Sequence, residues 1–444
     1  MASGSKKIHS VNRPSRRLVM AGLAASAGVS GMRGVRAAVP QVVVIGAGVT
    51  GLSASKTLSA KGIAHVVIEA SDRIGGRAFT QTQTFGVPCD VGAHWLHNGE
   101  TNPLVGFARR AGQAPYEAED EWTLFSGGKW LEGEDEEDIW DEIDDADRAI
   151  ERAVDWGADV AAASVVDSDT SALAKFLIGP YEHAASLGSL STLDWDRQNE
   201  GTDMFPQGGL GSLVANWGAG VPVEFGTQAT RIDWSGGGVK VETNKGTLSA
   251  EAVIVTVATQ VLASGAIRFG PGLPDATERA IRDLPLGSYN HIVLQLDGDP
   301  FELEEDTMVA YSGVGGTAGL LINAGGSGLT YFDVAGDFGA GLTALGDAAM
   351  VEFAREALRD MLGSDGVASL KQAKAFAWER NALFGGAYTA ARPGRAGARQ
   401  ALKRPVGDRI LFAGEATSVS KPATLDGAIA EGARAARSIA DDVL

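Results

Sequence analysis

The sequence predicts the α/β fold class, arranged as two domains or as one large domain with an inserted lobe. Its 444 residues exceed what one compact core usually holds. The unbroken apolar run from Val42 to Ile45 has the pattern of a strand buried on both faces of a parallel sheet. An alanine- and leucine-bearing helix follows this run and leads to a second apolar strand, His65 to Ile68, which completes a β-α-β pattern.

The turn after the first strand carries three glycines, Gly46, Gly48 and Gly51, in the spacing GxGxxG. The first permits a tight turn, the second lets the backbone approach a pyrophosphate, and the third permits close packing of the helix on the sheet. Phosphates would then lie at the helix N-terminus. Glycine spacing alone is weak evidence, but strand, glycines, helix and second strand in this order predict a Rossmann-type, dinucleotide-binding domain.

The second strand ends at Glu69, about 20 residues after the glycines. A carboxylate at this position can accept hydrogen bonds from both hydroxyls of an adenosine ribose. No basic residue adjoins it on the strand end, which disfavours a 2′-phosphate. NAD and FAD both remain open at this point.

The next stretch, EASDRIGGRAFT, contains Arg73, Gly75, Gly76 and Arg77. A glycine pair admits backbone close to an anion, and a guanidinium can complement the charge. This stretch resembles the signature of flavin amine oxidases and their relatives, in which it lines the flavin pyrophosphate. The resemblance implies FAD.

The resemblance extends from about Gln41 to the C-terminus. DRILFAGEATS is similar to the family's late strand and turn, which implies that Gly414 and Glu415 return to the ribityl and phosphate groups of the flavin. KPATLDGAIAEGARAARSIA resembles the closing helix, whose N-terminal backbone at Leu425 and Ala428 would face the flavin pyrimidine. A helix N-terminus there would stabilise negative charge on the reduced flavin.

The resemblance also implies that the flavin domain is discontinuous in sequence. We assign 40–81, 205–269 and 376–444 to the FAD-binding domain. Residues 82–204 and 270–375 are assigned to an α+β substrate-binding domain of the amine oxidase type. Residues 1–39 are assigned to a leader.

The stretch CDVGAHWLHNGETNP resembles, within the family, the polyamine oxidases. The match places His97 where it would face the bound amine beside the flavin, while His94 is expected to be structural and to make a buried hydrogen bond. Gly92, Ala93, His94 and Trp95 are expected to border the cofactor. We expect no metal, because no third ligand of suitable spacing follows and Cys89 is the single thiol of the sequence.

The stretch WERNALFGGAYTAARPG supplies further expected walls of the site. Trp378 and Tyr388 match family positions beside the flavin, with Tyr388 as one wall of an aromatic cage for the amine. Thr424 matches the opposite wall, where monoamine oxidases carry a second aromatic residue, so a monoamine is disfavoured. Ala387 replaces the cysteine that tethers FAD in some relatives, which predicts noncovalent FAD.

His291 occupies the position at which the family usually has a lysine that holds a water near flavin N5. A histidine can also orient a water or accept a proton, with a pKa nearer neutrality. The replacement of this lysine by histidine is expected to change either the reactivity of the flavin with O2 or the pH optimum. A plain strand histidine is the alternative interpretation.

The sequence therefore predicts FAD-dependent oxidation of a small-molecule amine, with hydride transfer from the carbon next to nitrogen to flavin N5. A polyamine is the favoured substrate class, and O2 or another electron acceptor would reoxidise the flavin. Three alternatives stay open: a cyclic or aromatic amine such as nicotine, an L-amino acid, and a flavoprotein that only transfers electrons or binds. An amino-acid oxidase would need an arginine that clamps the substrate carboxylate.

The net charge of the chain argues against some classes of binding partner. With 38 basic and 56 acidic residues, the formal net charge of −18 argues against nucleic acid and anionic membranes. Paired Arg16 and Arg17 before a short apolar run resemble a twin-arginine export signal, which predicts a periplasmic or secreted protein. That run is too short to span a bilayer, so no stable membrane insertion is expected.

Overall fold

The structure is a computed structural model that describes residues 40–118, 121–197 and 201–444. The predicted leader lies outside these residues. The strands of the described chain are β1 (Val42–Ile45), β2 (His65–Ile68), β3 (Thr80–Gln81), β4 (Cys89–Asp90), β5 (Tyr116–Glu117), β6 (Trp122–Ser126), β7 (Lys129–Trp130), β8 (Met204–Phe205), β9 (Val223–Glu224), β10 (Ala229–Asp233), β11 (Val239–Thr243), β12 (Gly246–Ala250), β13 (Ala252–Val255), β14 (Arg268–Gly270), β15 (Tyr289–Leu296), β16 (Met308–Gly313), β17 (Gly316–Leu321), β18 (Leu329–Ala335), β19 (Leu370–Phe376) and β20 (Ile410–Phe412).

The α-helices of the same residues range from one turn to six turns in length. They are α1 (Val49–Ala60), α2 (Pro103–Arg110), α3 (Glu134–Asp155), α4 (Ala172–Phe176), α5 (Thr192–Trp195), α6 (Leu210–Gly218), α7 (Thr259–Ala263), α8 (Asp275–Asp283), α9 (Gly336–Leu345), α10 (Asp347–Ala368), α11 (Ala398–Leu402) and α12 (Leu425–Asp442). Within the described residues, no helix is long and apolar enough to cross a membrane.

A parallel five-stranded sheet, in the order β20-β13-β1-β2-β9, forms the first layer. Alternate residues of β1 enter different cores: Val42 and Val44 pack with α1 and α12, whereas Val43 and Ile45 pack toward β10 and β11. Both faces are covered, which explains why β1 is apolar throughout. The predicted α/β fold class with a Rossmann-type domain is confirmed.

A seven-stranded mixed sheet, in the order β19-β15-β18-β17-β16-β6-β7, forms the second large layer. Helices α9 and α10 cover one of its faces through Phe338, Met350 and Phe353. Its strands come from 122–130 and from the chain after 289. The predicted domain boundary between residues 204 and 205 falls inside β8, which pairs with β5. The residues on the two sides of this boundary therefore belong to the same two-stranded sheet.

Candidate active site

A cavity of about 770 Å³ extends from the carboxyl ends of β1, β2 and β13 to the seven-stranded sheet. Ligands of doubly wound sheets bind at this end of the strands. The cavity is lined by most of the residues that the sequence singles out: Gly46, Gly48, Glu69, Gly75, Gly76, Arg77, Gly92, Ala93, His94, Trp95, His97, His291, Trp378, Tyr388, Gly414, Glu415, Thr424, Leu425 and Ala428. Gly51 and Arg73 do not line it.

The glycines of the first turn leave room that any side chain would fill. Gly46 has a φ of +105°, in the region that favours glycine. A Cβ on Gly51 would lie 1.9 Å from the Gly46 carbonyl oxygen, so this glycine permits the close packing of α1 on the turn. No side chain caps the N-terminus of α1, and its first turn contains no acidic residue. These features fit a phosphate group.

Glu69 lies at the end of β2 on the cavity wall. Its carboxylate accepts a hydrogen bond from the Ala47 N–H at 2.7 Å and from the Ser71 N–H and hydroxyl at 2.8 Å. These bonds hold the carboxylate against the glycine turn, which is the placement that a ribose diol would need.

Arg77 connects the two ends of the chain at the cavity. Its guanidinium donates to the Ala387 carbonyl and lies 3.2 Å from the Glu415 carboxylate. Glu415 also accepts the Thr389 hydroxyl at 2.6 Å. Arg73 has a different setting from the expected one: its guanidinium stacks on the Phe79 ring, 4.0 Å from the ring centroid, and donates to the Ile74 carbonyl. Arg73 thus lies outside the lining of the cavity.

The N-terminus of α12 borders the cavity at Leu425 and Ala428. Thr424 is its N-cap residue: its hydroxyl accepts from the Gly427 N–H and donates to the Lys421 carbonyl, both at 3.1 Å. Thr424, which was expected to form a wall of the pocket, therefore uses its hydroxyl to cap α12. The cap uses the Gly427 N–H, and the main-chain N–H groups before it point along the helix axis, as an electron-rich ring edge would require.

Trp378 is fixed on the wall by two hydrogen bonds. Its indole N–H donates to the Val91 carbonyl at 2.9 Å, and its main-chain N–H donates to the Asn290 side chain at 2.9 Å. A Cβ on Gly92 would lie 2.0 Å from the Arg77 carbonyl oxygen and 2.6 Å from the Trp378 ring. Gly92 thus allows the indole and the arginine segment to meet.

Three tyrosines form an aromatic wall on the side of the seven-stranded sheet: Tyr181, Tyr289 and Tyr388. The ring centroids of Tyr289 and Tyr388 are 6.0 Å apart, and those of Tyr181 and Tyr289 are 5.9 Å apart. Tyr388 is held by bonds from its hydroxyl to the Tyr181 and Glu182 carbonyls. Tyr388 was expected here from the sequence, whereas Tyr181 and Tyr289 were not.

His97 pairs with an acid that the sequence did not indicate. Its Nδ1 lies 2.8 Å from the Asp203 carboxylate, and about a third of each side chain is exposed. Burial lowers the pKa of His97, but the hydrogen bond and charge of Asp203, with Glu182 and Asp426, outweigh it and raise the pKa. The pair thus places a charged, polar group at the wetter part of the cavity.

His94 and His291 lie together, with ring centroids 4.8 Å apart. His291 is fully bonded, to Asp333 at 2.5 Å and to the Gly92 carbonyl at 2.8 Å. The buried hydrogen bond expected for His94 is absent: neither ring nitrogen has a hydrogen-bond partner among the described residues. The expectation was wrong because one oxygen of Asp333 is engaged by His291 and the other, which accepts the Tyr289 hydroxyl, is 3.8 Å from His94.

Asp333 and Asp203 are the acids that sequence reasoning missed. Asp333 is the single charged residue of the otherwise apolar or neutral strand LTYFDVA, all of whose residues are buried. That isolation was a usable signal, because a buried carboxylate needs partners. Asp203 lies in an irregular segment and gave no such signal. Among the described residues, no cluster of three or more His, Cys, Asp or Glu could hold a metal ion.

The three arginines of the described cavity wall all have protein partners. Arg399 is fully buried and forms a two-bond ion pair with Asp194, with both distances at 2.7 Å. Arg197 donates to Asp194 and to the Ala396 carbonyl. Arg77 is paired as described above. The cavity therefore holds its cations in fixed internal contacts.

The chain matches two family models. The model of the flavin containing amine oxidoreductases covers residues 128–440. A model of NAD(P)-binding Rossmann-like domains covers residues 44–111. Together they cover the glycine turn, the seven-stranded sheet except β6, and the closing helix up to residue 440.

Relatives of known sequence and structure are similar along most of this chain. Polyamine oxidase 2 of Arabidopsis thaliana is 30% identical over 440 residues, which cover 89% of this chain and 87% of that protein. Lysine-specific histone demethylase 1 homolog 1 of Oryza sativa subsp. japonica is 27% identical over 442 residues, and the match spans 52% of that longer protein.

A solved structure of wild-type putrescine oxidase bound to putrescine has the same fold, with a TM-score of 0.74 at 20% identity, covering 90% of this chain and 99% of that one. The glycine turn, Glu69, Arg77 and the α12 N-terminus fit a flavin dinucleotide in this fold. The chain belongs to the family of flavin-containing amine oxidoreductases, enzymes of flavin-dependent amine oxidation.

Proposed function

We propose that the protein is an oxidase or dehydrogenase of polyamine-type substrates that binds FAD noncovalently. The observation that carries the proposal is the single cavity that joins the dinucleotide turn to a wall of tyrosines and carboxylates. Bound FAD would accept the hydride that leaves the carbon next to the substrate nitrogen, and the imine product would hydrolyse to an aldehyde or ketone plus an amine.

The protein side chains supply position and polarity. Tyr181, Tyr289 and Tyr388 offer ring faces that attract a cation and exclude water from an uncharged amine. Glu117, Glu182 and Asp203 line the same cavity and favour a substrate with more than one amino group. His97, held by Asp203, would contact the amine chain.

Two other substrate classes are less well supported. An amino-acid carboxylate would need a guanidinium, and the cavity arginines are already paired with protein acceptors. A cyclic or aromatic amine is the second candidate, because Thr424 adds little bulk to the wall and its hydroxyl is occupied by the helix cap.

Noncovalent attachment is supported by the residue at the position of the tether. Ala387 lines the cavity where some relatives carry cysteine, and Cys89 is buried away from the cavity lining. Acid precipitation is expected to release intact FAD into the supernatant. Flavin that stays with the pellet would contradict this part of the proposal.

We also propose export through the twin-arginine route, on the strength of Arg16 and Arg17. The enzyme would then fold and bind FAD before it crosses the membrane. Replacing both arginines by lysine should retain active enzyme in the cytoplasm. Native protein found in the cytoplasmic fraction alone would remove the assignment.

Anaerobic mixing of the FAD-loaded enzyme with amines tests the activity. The absorbance of oxidised flavin should fall fastest with a di- or polyamine, more slowly with a monoamine or a cyclic amine, and not with amino acids. Admission of O2 to the reduced enzyme then tests the acceptor. Flavin that no amine reduces would instead support an electron-transfer or binding protein.

A further inference from the structure

Four side chains, three of them buried, form a cluster at the cavity wall, which we call the imidazole cluster: His94, Tyr289, His291 and Asp333. Tyr289 and His291 lie on β15, and Asp333 lies on β18 directly opposite His291 in the antiparallel ladder. His94 comes from the loop after β4. His291 is 2% exposed and Asp333 is 1% exposed, so water does not solvate their charges.

The hydrogen bonds of His291 determine its protonation. Nε2 lies 2.8 Å from the Gly92 carbonyl oxygen, which can only accept, so Nε2 carries a proton. Nδ1 lies 2.5 Å from the Asp333 carboxylate, a second acceptor when ionised. With both nitrogens donating, the ring is an imidazolium and has no lone pair free to accept a proton or to orient a water.

Asp333 has the contacts that an ionised carboxylate requires. One oxygen accepts from His291, and the other accepts the Tyr289 hydroxyl at 2.9 Å. Burial alone would raise the pKa of Asp333, but the charge and hydrogen bond of His291 outweigh burial and lower it. Burial likewise disfavours the charged form of His291, and Asp333 outweighs it, so the pKa of His291 is raised.

His94 differs from His291 in both its hydrogen bonding and its charge. It is 6% exposed, lines the cavity, and has no hydrogen-bond partner for either nitrogen in the described chain. Burial, followed by the neighbouring His291 cation, lowers the pKa of His94 to about 3. A neutral imidazole offers one donor and one acceptor, and leaving both unused in a buried place is costly.

We propose that Asp333 is a positioning residue that fixes His291 as an imidazolium, and that His94, held neutral beside it, hydrogen bonds to the nitrogen of the substrate amine. A neutral His94 can accept the amine N–H and leave the amine lone pair free. The assignment of the amine as the ligand rests on the proposed function. The charge states of the two histidines do not.

Within the described chain, the other ionisable groups that face the cluster are held by their own contacts; among them, Tyr388 packs on Tyr289 and its hydroxyl bonds the Tyr181 and Glu182 carbonyls. Asp90 faces His291 and is held by the Leu210 and Gly211 N–H groups. His97 faces His94 from the same loop. Tyr331, which contacts both rings, donates to Cys89, and Tyr181 packs on Tyr289. Burial holds the pKa of Cys89, Tyr331 and Tyr181 above their usual ranges, so these three stay uncharged near neutral pH.

Ring ¹⁵N NMR of the FAD-loaded enzyme with labelled histidine tests the charge states without any substrate. We expect His291 to keep two protonated nitrogens, and His94 to keep one protonated and one bare nitrogen, from about pH 6 to about pH 7, where a free imidazole loses its second proton. The His291→Gln and His94→Gln variants assign the signals. A wild-type His291 with one bare nitrogen in that range would overturn the proposal.

Asp333→Asn tests the positioning role, because an amide keeps the shape but removes the charge. His291 should then lose a proton and show one bare nitrogen above about pH 7. Tyr289→Phe is a milder second variant that removes one donor to Asp333, so the carboxylate binds the imidazolium more strongly and the pH at which His291 loses its proton should rise. Asp360→Asn is the matched control, since it removes the charge of a carboxylate that accepts a similar bond, from the Tyr311 hydroxyl at 3.0 Å, away from the cavity. An unchanged His291 in Asp333→Asn would overturn the role of Asp333.

Single-turnover flavin reduction tests the amine contact. His94→Leu should lower the reduction rate constant about tenfold while FAD stays bound, and His94→Gln, which keeps a donor and an acceptor, should recover part of it. Loss of FAD from His94→Leu with an unchanged rate in the loaded fraction would assign His94 to the cofactor and overturn the amine contact. If no amine reduces wild-type flavin, the proposed function fails while the NMR result still stands.

Discussion

The guanidinium of Arg77 and the carboxylate of Glu415 lie 3.2 Å apart on the cavity wall, although 338 residues separate them in the chain. Arg77 belongs to the glycine-rich segment after β2, and Glu415 follows β20 at the other end of the sequence. Glu415 is buried and Arg77 is partly exposed. The pair therefore joins the two segments that are expected to hold the flavin.

Removing the Arg77 charge should weaken FAD binding. Arg77→Ala leaves the buried Glu415 carboxylate without its cation and removes positive charge from the expected phosphate region, so we expect the Kd of FAD to rise at least tenfold, or about 1.5–3 kcal/mol. Fluorescence titration of the apoprotein measures this. Arg148→Ala on the exposed face of α3 removes a surface ion pair and serves as the control. Equal Kd values for the two variants would refute the role of Arg77.

Glu69→Ala should lower FAD retention for a different reason. The carboxylate is expected to accept the ribose hydroxyls, a charged hydrogen-bond contribution of about 1.5–3 kcal/mol. Glu69→Gln keeps the length of the side chain and should fall between the wild type and Glu69→Ala. FAD remaining after gel filtration gives the order, and unchanged retention in Glu69→Ala would show that this strand end does not contact the ribose.

Gly92→Ala should disturb the site through packing. Its Cβ would collide with the Arg77 carbonyl oxygen and the Trp378 ring, so we expect a loss of stability of about 1–3 kcal/mol and less FAD-loaded protein. Gly341→Ala is the matched control, because the new Cβ meets nothing within 4 Å and the helix should gain about 0.5–1 kcal/mol. Urea unfolding of both variants measures the difference. A stable Gly92→Ala enzyme with full FAD content would contradict the prediction.

His97→Ala should slow flavin reduction by amines without loss of FAD, because the residues expected to bind the flavin lie elsewhere. The fall should be larger for a polyamine than for a monoamine if His97 contacts the amine chain. Anaerobic stopped-flow measurements with both substrates separate the two effects. A wild-type rate with every amine would leave His97 with a packing role only.

The His97–Asp203 pair should make stability depend on pH. The pKa of His97 is raised in the folded protein above the unfolded value of about 6.5, so its stabilisation is complete below about pH 6.5 and is lost as the pH rises through the folded pKa. The difference in free energy of unfolding between the wild type and His97→Gln should shrink over that rise. In the Asp203→Asn background the dependence should nearly vanish. A pH-independent difference would show that folding does not raise the pKa of His97.

Much of the fold and part of the site followed from local sequence. The glycine turn, Glu69 and the apolar strands could be predicted because the residues that act together there are neighbours in the chain. The motif resemblance extended this to Arg77, Glu415 and Tyr388. Thr424 and Arg73 illustrate the limit: the motifs named their positions, but capping of α12 and stacking on Phe79 decided what their polar groups contact.

The sequence by itself determined the α/β class and the dinucleotide turn, because strand and helix periods and short glycine motifs are properties of adjacent residues. The flavin amine oxidase family followed from the resemblance of several short motifs. The tertiary structure alone decided which acidic side chains pair with the histidines of the cavity. Asp333 meets His291 across 42 residues and Asp203 meets His97 across 106 residues. These contacts depend on strand register and loop packing, which no local pattern encodes. As a result, the structure shows that His291 is bonded on both ring nitrogens, whereas His94 at the cavity has no hydrogen-bond partner among the described residues.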